Sequence, residues 1–182
     1  MVGPLEQLDV LIPGFVRLAS EDREGFLDRP TPCEGWVVRD LLEHVNGGAR
    51  MFAAAFEERA VRERELGDQP VETVAEALAD FDIAVRGAGA LERTVNSPFG
   101  PMPGEMFARL AALDLLVHTW DLSRANGTVP AVPDEIVQAA DEFARQAVSE
   151  DLRVPGVFGP EVVAPANCSR LDALAAFTGR RP

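Results

Sequence analysis

The sequence contains only two histidines, and each lies in an apolar pattern together with carboxylates. His118 belongs to the stretch DLLVHTWDL, residues 114–122, in which Asp114 precedes it by four positions. Because residues four apart share one face of an α-helix, Asp114 and His118 are predicted to lie side by side. His44 belongs to a similar stretch, DLLEHV, at residues 40–45. Imidazole and carboxylate groups are the ligands of catalytic zinc and non-haem iron sites.

In both stretches these groups are predicted to lie on helix faces that point toward the protein core. Asp114 and His118 replace apolar residues on the inward face of their helix, and a buried carboxylate needs a cation or a donor. His44 lies at the edge of the apolar face of another helix, beside Gly47 and Gly48, which lower helix propensity but open space. Two imidazoles and one carboxylate would form a three-ligand metal site with open positions, made of His44, Asp114 and His118.

A simpler arrangement fits the same spacing. Asp114 and His118 could form a hydrogen bond within one helix, while His44 is a separate half-buried residue. A D-x-x-x-H match arises often by chance, so the spacing alone leaves both interpretations open.

The sequence also supports predictions for Asp121, Trp120 and Cys33. Asp121 either hydrogen-bonds the second ring nitrogen of His118 or is a solvated or capping carboxylate. Trp120 lies two positions after His118, faces away from it and is predicted to pack in the core. Cys33 precedes the second helix, whose dipole could lower its pKa, but a packed loop thiol is favoured. With Cys168 it is expected to be a free thiol.

Helical periodicity dominates the chain and predicts an all-α fold. We expect a four-helix bundle with one or two short additional helices and an irregular C-terminal tail, in a single domain over residues 1–182. Pro13 and Gly14 should kink the first helix or delay its start. Residues 86–104 are expected to be a long loop that covers the pocket. The predicted helices are 5–19, 37–62, 74–85, 103–126, 133–148 and 169–179.

Composition restricts the partners. The 182 residues carry 30 acidic and 17 basic side chains, all of the latter arginine, for a net charge of −13. Such a surface repels nucleic acid and anionic membrane. No apolar run approaches a membrane span, and the first residues lack a basic leader, so we expect a cytoplasmic protein. A small-molecule substrate is expected, and pairing of two copies through an exposed helix face stays open.

Three stretches together resemble a known family. They are TPCEGWVVRDLLEHV (31–45), LDLLVHTWDLSRANG (113–127) and the closing FTGRRP (177–182). They resemble the DinB-like bundle proteins, in particular the branch related to the N-terminal domain of mycothiol-dependent maleylpyruvate isomerase, common in actinobacteria. The resemblance implies a four-helix bundle that holds a divalent metal at one end through His44, Asp114 and His118. Zinc is the first choice of metal, with nickel or iron as alternatives, and a low-molecular-weight thiol is the implied co-substrate.

The sequence departs from the family pattern in three ways. Asp114 stands where glutamate is usual, so its shorter side chain could bind the metal through water. Val37 stands where threonine is common, which removes a helix-capping oxygen. The chain also leaves no room for the further C-terminal domain of the isomerase itself.

The sequence therefore supports one leading function and two others. A thiol-dependent transferase or related small-molecule enzyme would use the metal to present a thiolate or water as nucleophile. A non-catalytic protein could instead bind the metal or a small ligand for stability or sensing. A metal-free helical dimerisation module is the third possibility.

Overall fold

A computed structural model describes residues 2–21, 25–154 and 157–182 of the chain. The four long helices in these ranges are α1 (Pro4–Ala19), α2 (Val38–Phe56), α3 (Pro70–Val85) and α4 (Gly104–Ala125). Helix α2 lies against both α3 and α4, and α1 lies against both α4 and α3. This arrangement confirms the predicted all-α bundle.

Short elements complete the described parts of the chain. Helix α5 (Asp134–Ala147) packs against α4, and α6 (Arg170–Phe177) packs against both α4 and α5. The predicted tail between α5 and α6 is irregular apart from one 3-10 turn, and its residues 155–156 lie outside the described ranges. None of the described helices combines the length and hydropathy needed to cross a membrane. The 3-10 turns are Phe26–Asp28 and Glu150–Leu152, and the strands are β1 (Thr94–Ser97) and β2 (Gly100–Pro103).

The first helix begins earlier than its proline and glycine suggested. Pro4 occupies the first turn of α1, where its missing N–H costs no hydrogen bond. The helix continues through Pro13 to Ala19, so the predicted delayed start is wrong. Burial of Leu8, Leu11 and other residues on one face against the bundle stabilises the helix in spite of the internal proline.

The second helix is shorter than predicted. It ends at Phe56 because Glu58 adopts a left-handed backbone conformation with φ of 53°. The N–H of Arg59 then donates to the Ala54 carbonyl over 3.0 Å, which closes the helix end. Residues 57–65 are mainly exposed and supply no apolar face that could pack a continued helix, so the prediction that α2 reaches Arg62 is wrong.

Residues 86–104 contain a hairpin, which the sequence analysis did not predict. Strands β1 and β2 pair antiparallel, with Val95 opposite Met102. The two prolines of β2 made a strand unexpected here, because proline has no N–H to donate to a neighbouring strand. Arg93, just before β1, donates to the carbonyl of Phe56 at the far end of α2. Phe56 lies twelve residues after His44, about 18 Å along the helix. The prediction that this segment covers the pocket is therefore wrong.

Four phenylalanines form the core at this end of the bundle. The ring centroids of Phe52 and Phe107 lie 4.8 Å apart, and those of Phe56 and Phe107 lie 5.6 Å apart. Phe81 of α3 completes the group at 5.6 Å from Phe52. Tilted ring pairs at these separations add favourable contacts beyond the burial of apolar area.

We expect Phe107→Ala to lower the free energy of unfolding by about 3–5 kcal/mol, because Phe107 is fully buried and its loss opens a cavity. The neighbouring Met106 is 44% exposed. Met106→Ala should therefore change the same quantity by only about 0.5 kcal/mol. Urea unfolding of both variants would measure the difference, and equal losses would contradict this packing.

Candidate metal centre

The loop before α2 is held in a compact form that places Trp36 and Cys33. The N–H and the hydroxyl of Thr31 both donate to the carbonyl of Trp36, over 2.9 and 3.0 Å. The Val37 N–H donates to Asp40 Oδ2 over 2.8 Å. Asp40 thus caps the start of α2 from inside its first turn, although Val37 itself offers no capping oxygen.

Three predicted ligand residues converge between α2 and α4. Asp114 Oδ1 lies 3.4 Å from Nε2 of His118 and 3.8 Å from Nε2 of His44. Ligand atoms that bind one zinc ion tetrahedrally at about 2.0–2.1 Å lie about 3.4 Å from one another. The donor set and its spacing therefore suit a divalent metal, and the structure brings together all three residues that the sequence singled out.

His118 is oriented by a second carboxylate. Its Nδ1 lies 3.0 Å from Oδ2 of Asp121, so of the two alternatives left open for Asp121 the structure shows the hydrogen bond to the second ring nitrogen. When His118 loses the proton from Nε2, as a metal ligand must, the remaining proton on Nδ1 donates to Asp121 and the Nε2 lone pair lies on the side of Asp114 and His44. A histidine held by a carboxylate in this way is typical of metal-bound imidazoles.

Asp121 is fully buried and accepts hydrogen bonds from two further groups. The Cys33 thiol donates to Oδ2 over 3.3 Å. The guanidinium of Arg180 donates from Nη2 to Oδ2 over 3.1 Å and from Nε to Oδ1 over 3.4 Å. No role for Arg180 was predicted from the sequence, although this residue belongs to the closing FTGRRP. The expectation of a packed loop thiol missed the contact of Cys33 with Asp121.

A second group of potential ligands overlaps the first. Cys33, His118 and Asp121 each offer an atom within 4.8 Å of the others. The Arg180 guanidinium already lies against this group, 3.1 Å from Asp121 and 3.9 Å from the Cys33 sulfur. Because a positive charge fills this position, the set of His44, Asp114 and His118 is the better candidate for a cation.

The buried charges influence one another strongly. Burial by itself raises the pKa of Asp114, but the positive charge of His118 and interactions with both histidines hold this pKa well below its usual range. Burial by itself lowers the pKa of His118, yet the charge of Asp114 and the hydrogen bond to Asp121 raise it well above its ordinary value. Burial likewise opposes ionisation of Asp121, whereas His118 and Arg180 keep its pKa low.

Solvent reaches the site from one side. The side chains of His44 and Asp114 are 34% and 36% exposed, whereas that of His118 is only 5% exposed. Gly48 adjoins Asp114, and even an added Cβ there would lie 4.0 Å from its Oδ2. A ligand of the site could therefore approach past His44 and Asp114.

The two tryptophans have different positions. The Trp36 ring lies nearly parallel to that of His118, with centroids 6.4 Å apart, and 5.2 Å from that of His44. Trp120 is buried and its indole N–H donates to Asp172 over 2.8 Å. The predicted packing role of Trp120 is confirmed, and Trp36 is the tryptophan that borders the site.

Comparison with known proteins identifies the family. A family model described as the mycothiol maleylpyruvate isomerase N-terminal domain matches residues 11–123. This range includes His44, Asp114, His118 and Asp121. The chain therefore belongs to this family, which confirms the resemblance described above.

Full-length relatives and solved structures extend the comparison. Two uncharacterized proteins of Mycobacterium tuberculosis, from strains H37Rv and CDC 1551, are each 34% identical in an alignment over 171 residues that covers 91% of this chain and 91% of the relative. A crystal structure of a histidine-to-alanine mutant of mycothiol-dependent maleylpyruvate isomerase shares the fold with a TM-score of 0.60 at 16% identity, and covers 81% of this chain and 72% of its own. A second structure of that isomerase gives a TM-score of 0.51 at 17% identity, with 74% and 65% covered.

In metal-free protein kept in chelator, we expect the free energy of unfolding to be higher at about pH 6 than at about pH 9. The pKa of His118 is raised in the folded state. The stabilisation from protonated His118 is therefore fully present below the pKa of about 6.5 that histidine has in the unfolded chain. It is lost as pH rises through the pKa of His118 in the folded protein.

Urea unfolding at the two pH values would measure the decrease, and Asp114→Asn provides the comparison. This variant removes the charge that most favours protonated His118, so its decrease should be smaller than that of the wild type. An equal decrease in both proteins would contradict Asp114 as the main partner of His118.

Proposed function

We propose that this protein binds one divalent metal ion through His44, Asp114 and His118 and acts as a thiol-dependent transferase or related small-molecule enzyme. The observation that carries the proposal is the convergence of His44 Nε2, Asp114 Oδ1 and His118 Nε2, with separations of 3.4 and 3.8 Å from the carboxylate. The low exposure of His118 and the half-exposure of the other two residues support a site that is built into the bundle but accessible to a ligand.

The donor set supports a choice of metal. Two imidazoles and one carboxylate suit zinc, nickel and iron, and zinc is our first choice. The shorter side chain of Asp114 still brings Oδ1 within 3.4 Å of His118 Nε2 and 3.8 Å of His44 Nε2. Direct ligation by Asp114 forms part of the proposal.

Membership of the family supports a thiol as co-substrate. The solved relatives are described as mycothiol-dependent, and we extend this dependence to the present chain as a proposal. A divalent metal bound here would supply Lewis-acid chemistry that favours a thiolate near neutral pH. The chain itself orients His118 through Asp121, limits water on the His118 side, and leaves the His44 side open for the thiol and its small-molecule partner.

We also propose that residues 1–182 work as one domain in the cytoplasm. Helix α6 packs against α4, and Arg180 in the segment after α6 donates to Asp121 of α4, so this part of the chain belongs to the same bundle. Cys33 and Cys168 are both free thiols, which suits a reducing compartment.

We expect protein purified without a polyhistidine tag or chelator to contain about one metal ion per chain, and His44→Ala, Asp114→Ala and His118→Ala to lose it. Each variant removes one of three ligands while the rest of the bundle is retained. Elemental analysis by inductively coupled plasma mass spectrometry would measure the content and identify the metal.

Glu43→Ala is the matched control, because Glu43 adjoins His44 but is exposed and lies about 100° away from it around α2. This variant should keep the metal. Wild-type protein that contains no metal and takes up none from solution would contradict the proposal and favour the metal-free helical module.

A second measurement separates an enzyme from a metal-binding protein. Cobalt(II)-substituted protein titrated with mycothiol should gain a near-ultraviolet charge-transfer band if the thiol reaches the metal. Gly48→Leu should weaken this titration while retaining cobalt, because its side chain would extend beside Asp114 on the open side of the site. A titration without spectral change would favour a metal-binding protein that does not use a thiol.

A further inference from the structure

We propose that Arg180 is a positioning residue of the metal site, acting through Asp121 on His118. This inference rests on the proposed function, since it concerns the affinity of the same metal site. Arg180 contacts none of the three proposed ligands in the hydrogen bonds described. It acts on the carboxylate that holds the ring of one of them.

The first support is the geometry of the pair. Arg180 donates from Nη2 to one oxygen of Asp121 and from Nε to the other, over 3.1 and 3.4 Å. Paired contacts of a planar guanidinium fix the plane of a carboxylate as well as its position. Oδ2 is thereby held facing Nδ1 of His118, and Nε2 of the same ring stays directed at Asp114.

The second support is burial. Asp121 is fully buried, and the side chain of Arg180 is 13% exposed. Burying a carboxylate away from water is unfavourable unless it is paired, and the guanidinium of Arg180 supplies that pairing for Asp121 over 3.1 Å. In this role the guanidinium takes the place of a second metal ion next to Cys33.

The third support is the backbone structure between α6 and Arg180. After α6 the backbone turns at Gly179, with φ of 101°, and the N–H of Arg180 donates to the Ala175 carbonyl over 2.9 Å. Gly179 packs so closely on Gly159 that an added Cβ would lie 2.6 Å from the Cα of Gly159. These contacts fix the position of the backbone from which the Arg180 side chain reaches Asp121.

The fourth support is its place in the chain. The family model ends at residue 123, so Asp121 and the three proposed ligands lie inside the matched range and Arg180 lies outside it. Helix α6 is tied to α4 by the indole N–H of Trp120 and the guanidinium of Arg124, both of which donate to Asp172. The C-terminal segment of this chain thus completes a site whose other residues belong to the family domain.

The test measures zinc affinity by competition with a chromophoric chelator. Asp121→Asn and Arg180→Gln should each weaken zinc binding about 10- to 100-fold, the usual effect of residues that support metal ligands. Arg181→Gln is the matched control, because Arg181 is adjacent and exposed, and its affinity should equal that of the wild type. If Arg180→Gln fails to fold, Arg180→Lys replaces it and should still bind zinc more weakly, because lysine cannot make the paired contacts.

The double variant tests the route of the effect. If Arg180 acts through Asp121, the affinity of Asp121→Asn/Arg180→Gln should equal that of Asp121→Asn alone rather than show the product of the two losses. In proton NMR of zinc-loaded protein, the His118 Nδ1–H resonance should shift in Arg180→Gln and stay unchanged in Arg181→Gln.

Two results would overturn the inference. Zinc affinity of Arg180→Gln or Arg180→Lys equal to that of the wild type, with or without a lower melting temperature, would leave Arg180 a purely structural residue. Fully multiplicative losses in the double variant would show that it does not act through Asp121. Wild-type protein that binds no zinc would instead contradict the proposed function itself, so the two failures are distinguishable.

Discussion

The buried carboxylate of Asp121 needs donors from three separate segments of the chain, and this need constrains how those segments pack together. Asp121 has no exposed surface and accepts hydrogen bonds from Cys33, His118 and Arg180. These donors come from the loop before α2, from α4 itself and from the segment after α6. A carboxylate at this depth is tolerated only when its donors are all in place. Folding of three separate segments and orientation of His118 therefore depend on the same contacts.

Local spacing was sufficient to place three residues of the site on one helix face, although it left their role open. Asp114, His118 and Asp121 lie on one helix at intervals of four and three, so helical geometry alone places them on one face. The hydrogen bond between Asp121 and His118 follows from that geometry. His44 lies on another helix, and its approach to Asp114 depends on how α2 and α4 pack, which spacing within one helix cannot specify. The family resemblance supplied that information.

The features that were not predicted depend on contacts between distant residues or on backbone conformation. Arg180 lies 59 positions from Asp121, and no periodic pattern relates the two. The end of α2 depends on a left-handed residue that is not glycine, Glu58, and glutamate carries no signal for that conformation. The strand β2 contains two prolines, so its pairing with β1 contradicts the usual strand preference. The predicted helices, by contrast, follow from apolar periodicity and were confirmed apart from some of their ends.

The position of Arg180, two residues before Pro182, matters for how the protein can be handled. Residues fused after Pro182 would emerge beside a buried guanidinium that supports the candidate site. A C-terminal polyhistidine sequence would bring additional imidazoles close to His44 and His118, where they could compete for the same ion. Affinity tags and fluorescent fusions therefore belong at the N-terminus, ahead of α1.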